Sequence, residues 1–389
     1  MKPNQNIESV KEIMEDFAEL TGLEPVSDDP KRYLWTDAFA VCNYLELFRL
    51  TEDKTCLDLA LRLVDQVHHI LGKHRDDDTR YGWIGGLDDI EGENHPTKGG
   101  LRIGKLLNER QSNEPYDERL EWDQDGQYYH YLTKWMHALN RVSQVTEDPK
   151  YLKWAIELAH TAHAKFTYTP SSGGRKRMYW KMSIDLTYPL VPSMGQHDPL
   201  DGFVTYSELQ AAAQDFEQLS GLDLNIEIAD MKNICQGMNM ASNDPLGIGG
   251  LLSDASRISQ LMMKGFSCMS LLEKVVDSSL FGVGSFAAGQ TLELTAEYRL
   301  AFRELGLSIG LKGVENLLGW IKENPELFDR KNSLQSQVES LMRYMPLVEV
   351  IDQFWMNDKN REHYSWREHQ EINMVMMATS LAPDEFLRI

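Results

Sequence analysis

Cysteine is scarce in this chain. Only four occur in 389 residues, Cys42, Cys56, Cys235 and Cys268, and no two form a C-x-x-C pair. That spacing excludes a disulfide framework and a cysteine-rich zinc site, and it reads as core filling in a reducing compartment. Long hydrophobic runs are also missing: no window approaches the roughly 18–20 uninterrupted apolar residues of a membrane span. The opening stretch MKPNQNIESVKEIMEDF lacks the apolar centre of a secretion signal. A soluble, cytoplasmic protein is the expectation. Basic residues are in deficit, 39 Lys and Arg against 60 Asp and Glu, a formal net charge of −21. Such a balance opposes a nucleic-acid partner, which needs clustered cations to neutralise phosphates. The short run GGRKR at 173–177 is too small to reverse it. Alternating strand patterns are rare as well.

Helical spacing dominates instead. After a first helix near 7–20, patterns recur as back-to-back pairs at 36–50 with 54–73, 126–146 with 149–166, 201–219 with 223–239, 247–263 with 268–279, and 288–308 with 311–323. Two more follow at 333–356 and 366–380. An internal repeat supports the pairing: TEDKTCLDLALRLVDQVH (51–68) aligns without gaps on TEDPKYLKWAIELAHTAH (146–163). Short turns of this kind make consecutive helices antiparallel neighbours, and a repeated hairpin buries its flank on the next. The second helix of each pair is amphipathic, whereas first helices such as DAFAVCNYLELF are apolar on nearly all sides, as an enclosed helix should be. About six such hairpins predict an all-α (α/α)6 barrel, one catalytic domain over 1–389, with inner helices around a cavity.

The connections back into the inner helices are long. Residues 75–122 and 167–200 carry little helical pattern and many Gly, Pro, Trp, Tyr and acids, and unstructured connections of this length in a compact fold tend to be functional. Part of the second, RMYWKMSIDL, suits a short β-hairpin. These loops deliver one set of residues to one rim: Trp35 and Asp37; Glu121, Trp122, Asp123, Asp125, Tyr128, Tyr129 and His130; His197, Asp198 and Asp201; Asp244; and, if WREHQEINMVMMATSL opens the last inner helix, Trp366, His369 and Glu371. Aromatic faces among carboxylates describe a carbohydrate pocket, in which rings stack on sugar C–H faces and acids bind hydroxyls and supply acid/base pairs.

With its TED..YL..A hairpin repeat and aromatic-acidic inner-helix starts, the chain resembles the six-hairpin glycosidase superfamily. That group includes unsaturated glucuronyl hydrolases, other glycoside hydrolases, and N-acylglucosamine and cellobiose 2-epimerases. The resemblance implies a sugar-active site in the central cavity. WDQDGQYY does not match the tryptophan and Arg-Gly motif of the glucuronyl hydrolases. The reaction expected is hydrolysis of a glycosidic bond in a small oligosaccharide, with Asp123 as acid or base and Asp37 or Asp201 as partner carboxylate. Two alternatives use other bases: a sugar 2-epimerase or isomerase working through His130 or His197, or a lyase using a tyrosine or histidine. A non-catalytic binding toroid is a third.

Trp35, Trp122, Tyr128, Tyr129 and Trp180 are candidate sugar platforms, and Glu121, Asp125, Trp366 and His369 candidate substrate contacts. Arg102 and Lys105, in the glycine-rich stretch KGGLRIGK, can pair with a uronate or remain loop charges. Asp125, Asp37 and Asp201 each stand where a helix cap is also expected. The histidines of VHHILGKH (67–74) read as packing or surface residues and DDDTR (76–80) as a solvated turn. Neither a cofactor nor a metal is called for.

Overall fold

The computed structural model describes residues 3–219, 221–328 and 333–389, with side chains from Asn6 onward. Two compact units emerge, one of Thr21–Phe48 with Asp53–Met238, the other of Met1–Leu20, Arg49–Glu52 and Asn239–Ile389.

In the first unit the expected hairpins are present. Leu34–Thr51 is followed by Lys54–Leu71, Tyr129–Thr146 by Pro149–Phe166, and Asp198–Ala213 by Asn225–Cys235. Every residue from Leu34 to Leu47 is buried, whereas Lys54–Leu71 buries only one stripe, Ala60, Leu63, Val64, Val67 and Leu71 among it. The repeated TED acquires a physical meaning. Glu52 and Glu147 both adopt left-handed backbone, φ 58 and 56. The next residues, Asp53 and Asp148, each cap the following helix by accepting from the N–H of Thr55 and Lys150, both at 3.0 Å. A helix stop and a helix start are thus compressed into three residues.

The 167–200 connection does carry short antiparallel hairpins, but each half of RMYWKMSIDL pairs with a segment outside that stretch. Arg177–Met178 pairs with Thr167–Tyr168. Lys181–Met182 lies between Gln127–Tyr128 and Pro189–Val191 in a three-stranded sheet. The 75–122 connection stays largely irregular, with helical turns at Asp89–Asn94 and Glu118–Asp123. All four cysteines are buried free thiols.

The second unit departs from the expected boundaries. The spacing predicts a pair at 288–308 and 311–323, but Ala301–Glu323 is one helix, preceded by two short 3-10 turns. The glycines at its centre are packing devices, not a turn. A Cβ at Gly310 would lie 2.4 Å from the Gly249 carbonyl oxygen, and one at Gly249 2.0 Å from that of Gly306. The helices Pro245–Met263 and Ala301–Glu323 therefore run almost backbone to backbone. The expected 333–356 helix is two, Ser333–Met342 and Pro346–Met356, because Pro346 cannot continue a helix and begins a new one. The 366–380 segment likewise divides into Tyr364–Arg367 and Gln370–Leu381, and Pro3–Leu20 packs on the latter.

Replacing Gly249 by Ala should destabilise the protein by about 1–3 kcal/mol through backbone overpacking. Gly250→Ala, where nothing lies within 4 Å of the new methyl, should stabilise it by about 0.5–1 kcal/mol through helix propensity. Urea midpoints moving in opposite directions for these adjacent residues would confirm the contact; equal shifts would refute it.

Candidate active site

The site is built where the Tyr129–Thr146 and Asp198–Ala213 helices begin side by side. A ladder of polar contacts sets their register: the Tyr129 hydroxyl donates to that of Tyr206 at 2.8 Å, Lys134 Nζ lies 2.9 Å from Asp201, and His137 Nδ1 and Asn140 Nδ2 both lie 2.7 Å from Glu208 Oε1. Gly202 makes room for the first rung, since a Cβ there would lie 2.2 Å from the Tyr129 hydroxyl.

This register brings His130 and Asp198 together, Nδ1 to Oδ1 3.7 Å apart. The Nδ1 of His130 and the Oδ2 of Asp198 are buried and have no hydrogen-bond partner. Burial, reinforced by nearby Asp201 and opposed by Lys134 and the Gly195 N–H, raises the Asp198 carboxyl to about 8. Burial lowers His130 to about 4, with Lys134 adding to the effect and Asp201 opposing it. At neutral pH the pair is therefore a protonated carboxyl beside an uncharged imidazole. Asp201, one turn along from Asp198 on the same helix face, is held against the Lys134 ammonium.

Aromatic rings continue outward from this pair. His130 meets Tyr131 edge-on at 4.7 Å between centroids, and Tyr131 meets Tyr33 at 5.5 Å with their hydroxyls 2.7 Å apart. Trp35 lies 6.4 Å from Tyr131, Tyr128 5.6 Å from both His130 and Trp180, and half-exposed Trp122 meets Trp180 edge-on. Burial raises the hydroxyls of Tyr33, Tyr128 and Tyr131 above the ordinary phenol value.

Other candidates hold structure. Asp37 is sealed from solvent, 3.5 Å from Arg32 and accepting from the Tyr33 N–H at 2.9 Å; burial outweighs these contacts and raises it to about 6. Asp125 is fully buried and does not cap the helix after it. It accepts from Arg102 at 3.0 Å, from the Gly104 N–H at 3.0 Å and from the Gly126 N–H at 3.1 Å, with Arg75 3.5 Å away. Arg102 completes its set with the carbonyls of Lys73 and Ile70, so it clasps loops and is not open to a uronate. Buried Glu121 is clamped by Arg110 at 3.0 Å and Lys181 at 2.8 Å. Tyr129 is a core residue against Phe166.

Asp123 is exposed, and His197, half-buried, occupies the cap position of the Asp198 helix with its carbonyl accepting from Leu200 and Asp201. Trp366, His369 and Asp244 belong to the other unit. There Trp366 packs on Trp355, His369 on Phe302, and Asp244 pairs with Arg303 at 2.8 Å. In DDDTR, Asp77 and Asp78 are paired with Arg75 and Arg80. His68 of VHHILGKH accepts from the Trp135 indole at 3.1 Å inside the core.

Sequence reading collected Asp198 at the rim but did not select it as a catalytic candidate, and it passed over Tyr33, Tyr131 and Lys134. The available signal was the i, i+3 carboxylate pair in HDPLDGF, which places Asp198 and Asp201 on one face of the first turn.

No family model and no curated protein matches this chain. Solved structures do. The GH76A alpha-1,6-mannanase from Salegentibacter sp. HEL1_6 is similar at 11% identity and TM-score 0.50, over 97% of this chain and 99% of that one. An inactive variant of it, with two aspartates replaced by alanine and alpha-1,6-mannotetrose bound, is similar at 10% identity and TM-score 0.51, over 97% and 98%. Cellobiose 2-epimerase from Bacillus thermoamylovorans B4167 is similar at 10% identity and TM-score 0.45, over 88% and 87%. The whole-chain likeness to the mannanase shows the fold: a predominantly helical architecture like that of the mannanase.

A raised Asp198 has a signed consequence for stability. Between the unfolded value of about 4 and its folded value of about 8, the native protein keeps a proton that the unfolded chain has lost. Unfolding free energy therefore falls as pH rises through that window. Urea denaturation at pH 5 and pH 8 should show this loss in the wild type and a smaller one in Asp198→Asn. Equal losses would show that Asp198 is not the group responsible.

Proposed function

We propose that the chain is a carbohydrate-active enzyme, a glycoside hydrolase of small oligosaccharides, centred on Asp198, His130 and Asp201. The observation that carries this reading is the buried carboxyl of Asp198, its Oδ2 unpartnered beside an unpartnered imidazole nitrogen, in a setting whose burial raises its pKa to about 8. A carboxylic acid kept neutral by its surroundings is the group a glycosidase uses to protonate a leaving oxygen. In the proposed reaction the Asp198 proton passes to the glycosidic oxygen as the bond to the anomeric carbon breaks. A water hydroxyl adds to that carbon, and the water's remaining proton goes to an ionised carboxylate. Asp201, paired with the Lys134 ammonium at 2.9 Å, suits that second role, and exposed Asp123 is the other carboxylate available. The aromatic run through Tyr131, Tyr33 and Trp35 supplies sugar platforms. The mannanase of like fold supports the reading, since its variant lacking two aspartates is inactive and holds an oligosaccharide.

An epimerase working through His130 fits less well, because burial lowers that imidazole to about 4 and makes it a weak proton acceptor.

Asp198→Asn should reduce turnover about 10²- to 10⁴-fold, the usual contribution of a general acid. In the wild type kcat/KM should fall as pH rises above about 8, where Asp198 loses its proton. Mass spectrometry of products from a panel of oligosaccharides checks the reaction: hydrolysis adds one water, epimerisation leaves the mass unchanged, and elimination yields an unsaturated product. Near-normal turnover by Asp198→Asn on an identified substrate would overturn the assignment.

A further inference from the structure

Almost every cation around the aromatic run is already committed. Arg75 and Arg102 hold Asp125, Arg80 holds Asp78 and Glu109, Arg110 and Lys181 hold Glu121, and Lys134 holds Asp201. Lys105 differs. The residue is half-buried, its ammonium 5.3 Å from the centre of the Tyr33 ring, and among the described residues no carboxylate lies within ion-pair distance of it. Asp123 and Asp125 act on it only from farther away, and burial lowers its pKa despite them. Its backbone is pinned: the carbonyl of Lys105 accepts from Arg75, and Gly104, just before it, donates to Asp125. An unpaired cation costs stability in a half-buried place, so a rigid loop that holds one there suits an incoming anion.

Lys105 also connects to the reacting pair. Contacts run from its ammonium to Tyr33, from Tyr33 to Tyr131, from Tyr131 to His130, and from His130 to Asp198. We propose that Lys105 determines specificity by binding the carboxylate of an acidic sugar whose neighbouring ring lies along the Tyr33 and Tyr131 faces toward Asp198. This rests on the carbohydrate reading above and deepens it by naming the substrate class, a uronate-bearing oligosaccharide of low mass. The protein's own charge of −21 disfavours long polyanions at a distance, so one cation placed at short range is the economical way to select a single carboxylate.

The test is titration of the full-length protein with methyl β-D-glucuronide and methyl β-D-glucoside, by ligand-observed NMR or calorimetry. The wild type should bind the glucuronide about tenfold or more tightly, the usual effect of one charge-assisted contact, and added salt should erode the preference. Lys105→Met, which keeps the stem without the charge, should abolish the preference, and Lys105→Arg should restore most of it. Equal binding of the two glycosides by the wild type, or a preference that survives Lys105→Met, overturns the role of Lys105 and leaves the carbohydrate reading standing. Binding of neither glycoside counts against both.

Discussion

The register between the Tyr129–Thr146 and Asp198–Ala213 helices is the constraint from which the candidate site follows. Its rungs at Tyr129 with Tyr206, Lys134 with Asp201, and His137 and Asn140 with Glu208 are polar contacts in a crowded interior. Polar groups there cost free energy unless paired, so the ladder tolerates few alternative alignments. Sliding one helix by a turn would break every rung. The alignment that satisfies them also places His130 against Asp198, and leaves an atom of each without a partner.

A second fixed point lies in the loops. Asp125 gathers Arg75, Arg102 and the N–H groups of Gly104 and Gly126 around one buried carboxylate. Loops as long as 75–122 would otherwise sample many conformations at little cost. One carboxylate bound by two guanidinium groups and two amides gives this one a defined course, and that course carries Lys105 to Tyr33. Beside it the Glu121 clamp joins Arg110 and Lys181, tying the loop to the three-stranded sheet. The acids of WDQDG thus divide their roles by burial: Asp125 organises backbone, while Asp123 faces solvent.

The hairpin repeat was legible because its cause is local. Thr-Glu-Asp ends a helix, turns through a left-handed glutamate and caps the next helix, all within hydrogen bonds between near neighbours. The enclosed character of Leu34–Thr51 was legible for a similar reason, since a helix buried on all sides has no polar face to show. Glycine misled at 306–313, where the residue that signals a turn in isolation instead permits two helices to approach. The unmatched strand partners of RMYWKMSIDL failed for want of any local signal, because two-residue strands take their pairing from whatever backbone lies alongside.

By itself the sequence determined the helical class and the hairpin unit, which depend on periodicity and on neighbours a few residues apart, and it offered a collection of acids, histidines and aromatics near helix starts. Only the tertiary structure decided which members of that collection are free to act. Asp37, Asp125 and Glu121 look like Asp198 when read along the chain, yet each is matched by a cation: Asp37 by nearby Arg32, Asp125 and Glu121 by Arg102 and Lys181 from other segments. Asp198 keeps one unpartnered oxygen beside His130, and Lys105, over the Tyr33 ring, has no carboxylate at ion-pair distance among the described residues. Desolvation and pairing are properties of the assembled neighbourhood, and they set Asp198 apart from the carboxylates that cations hold.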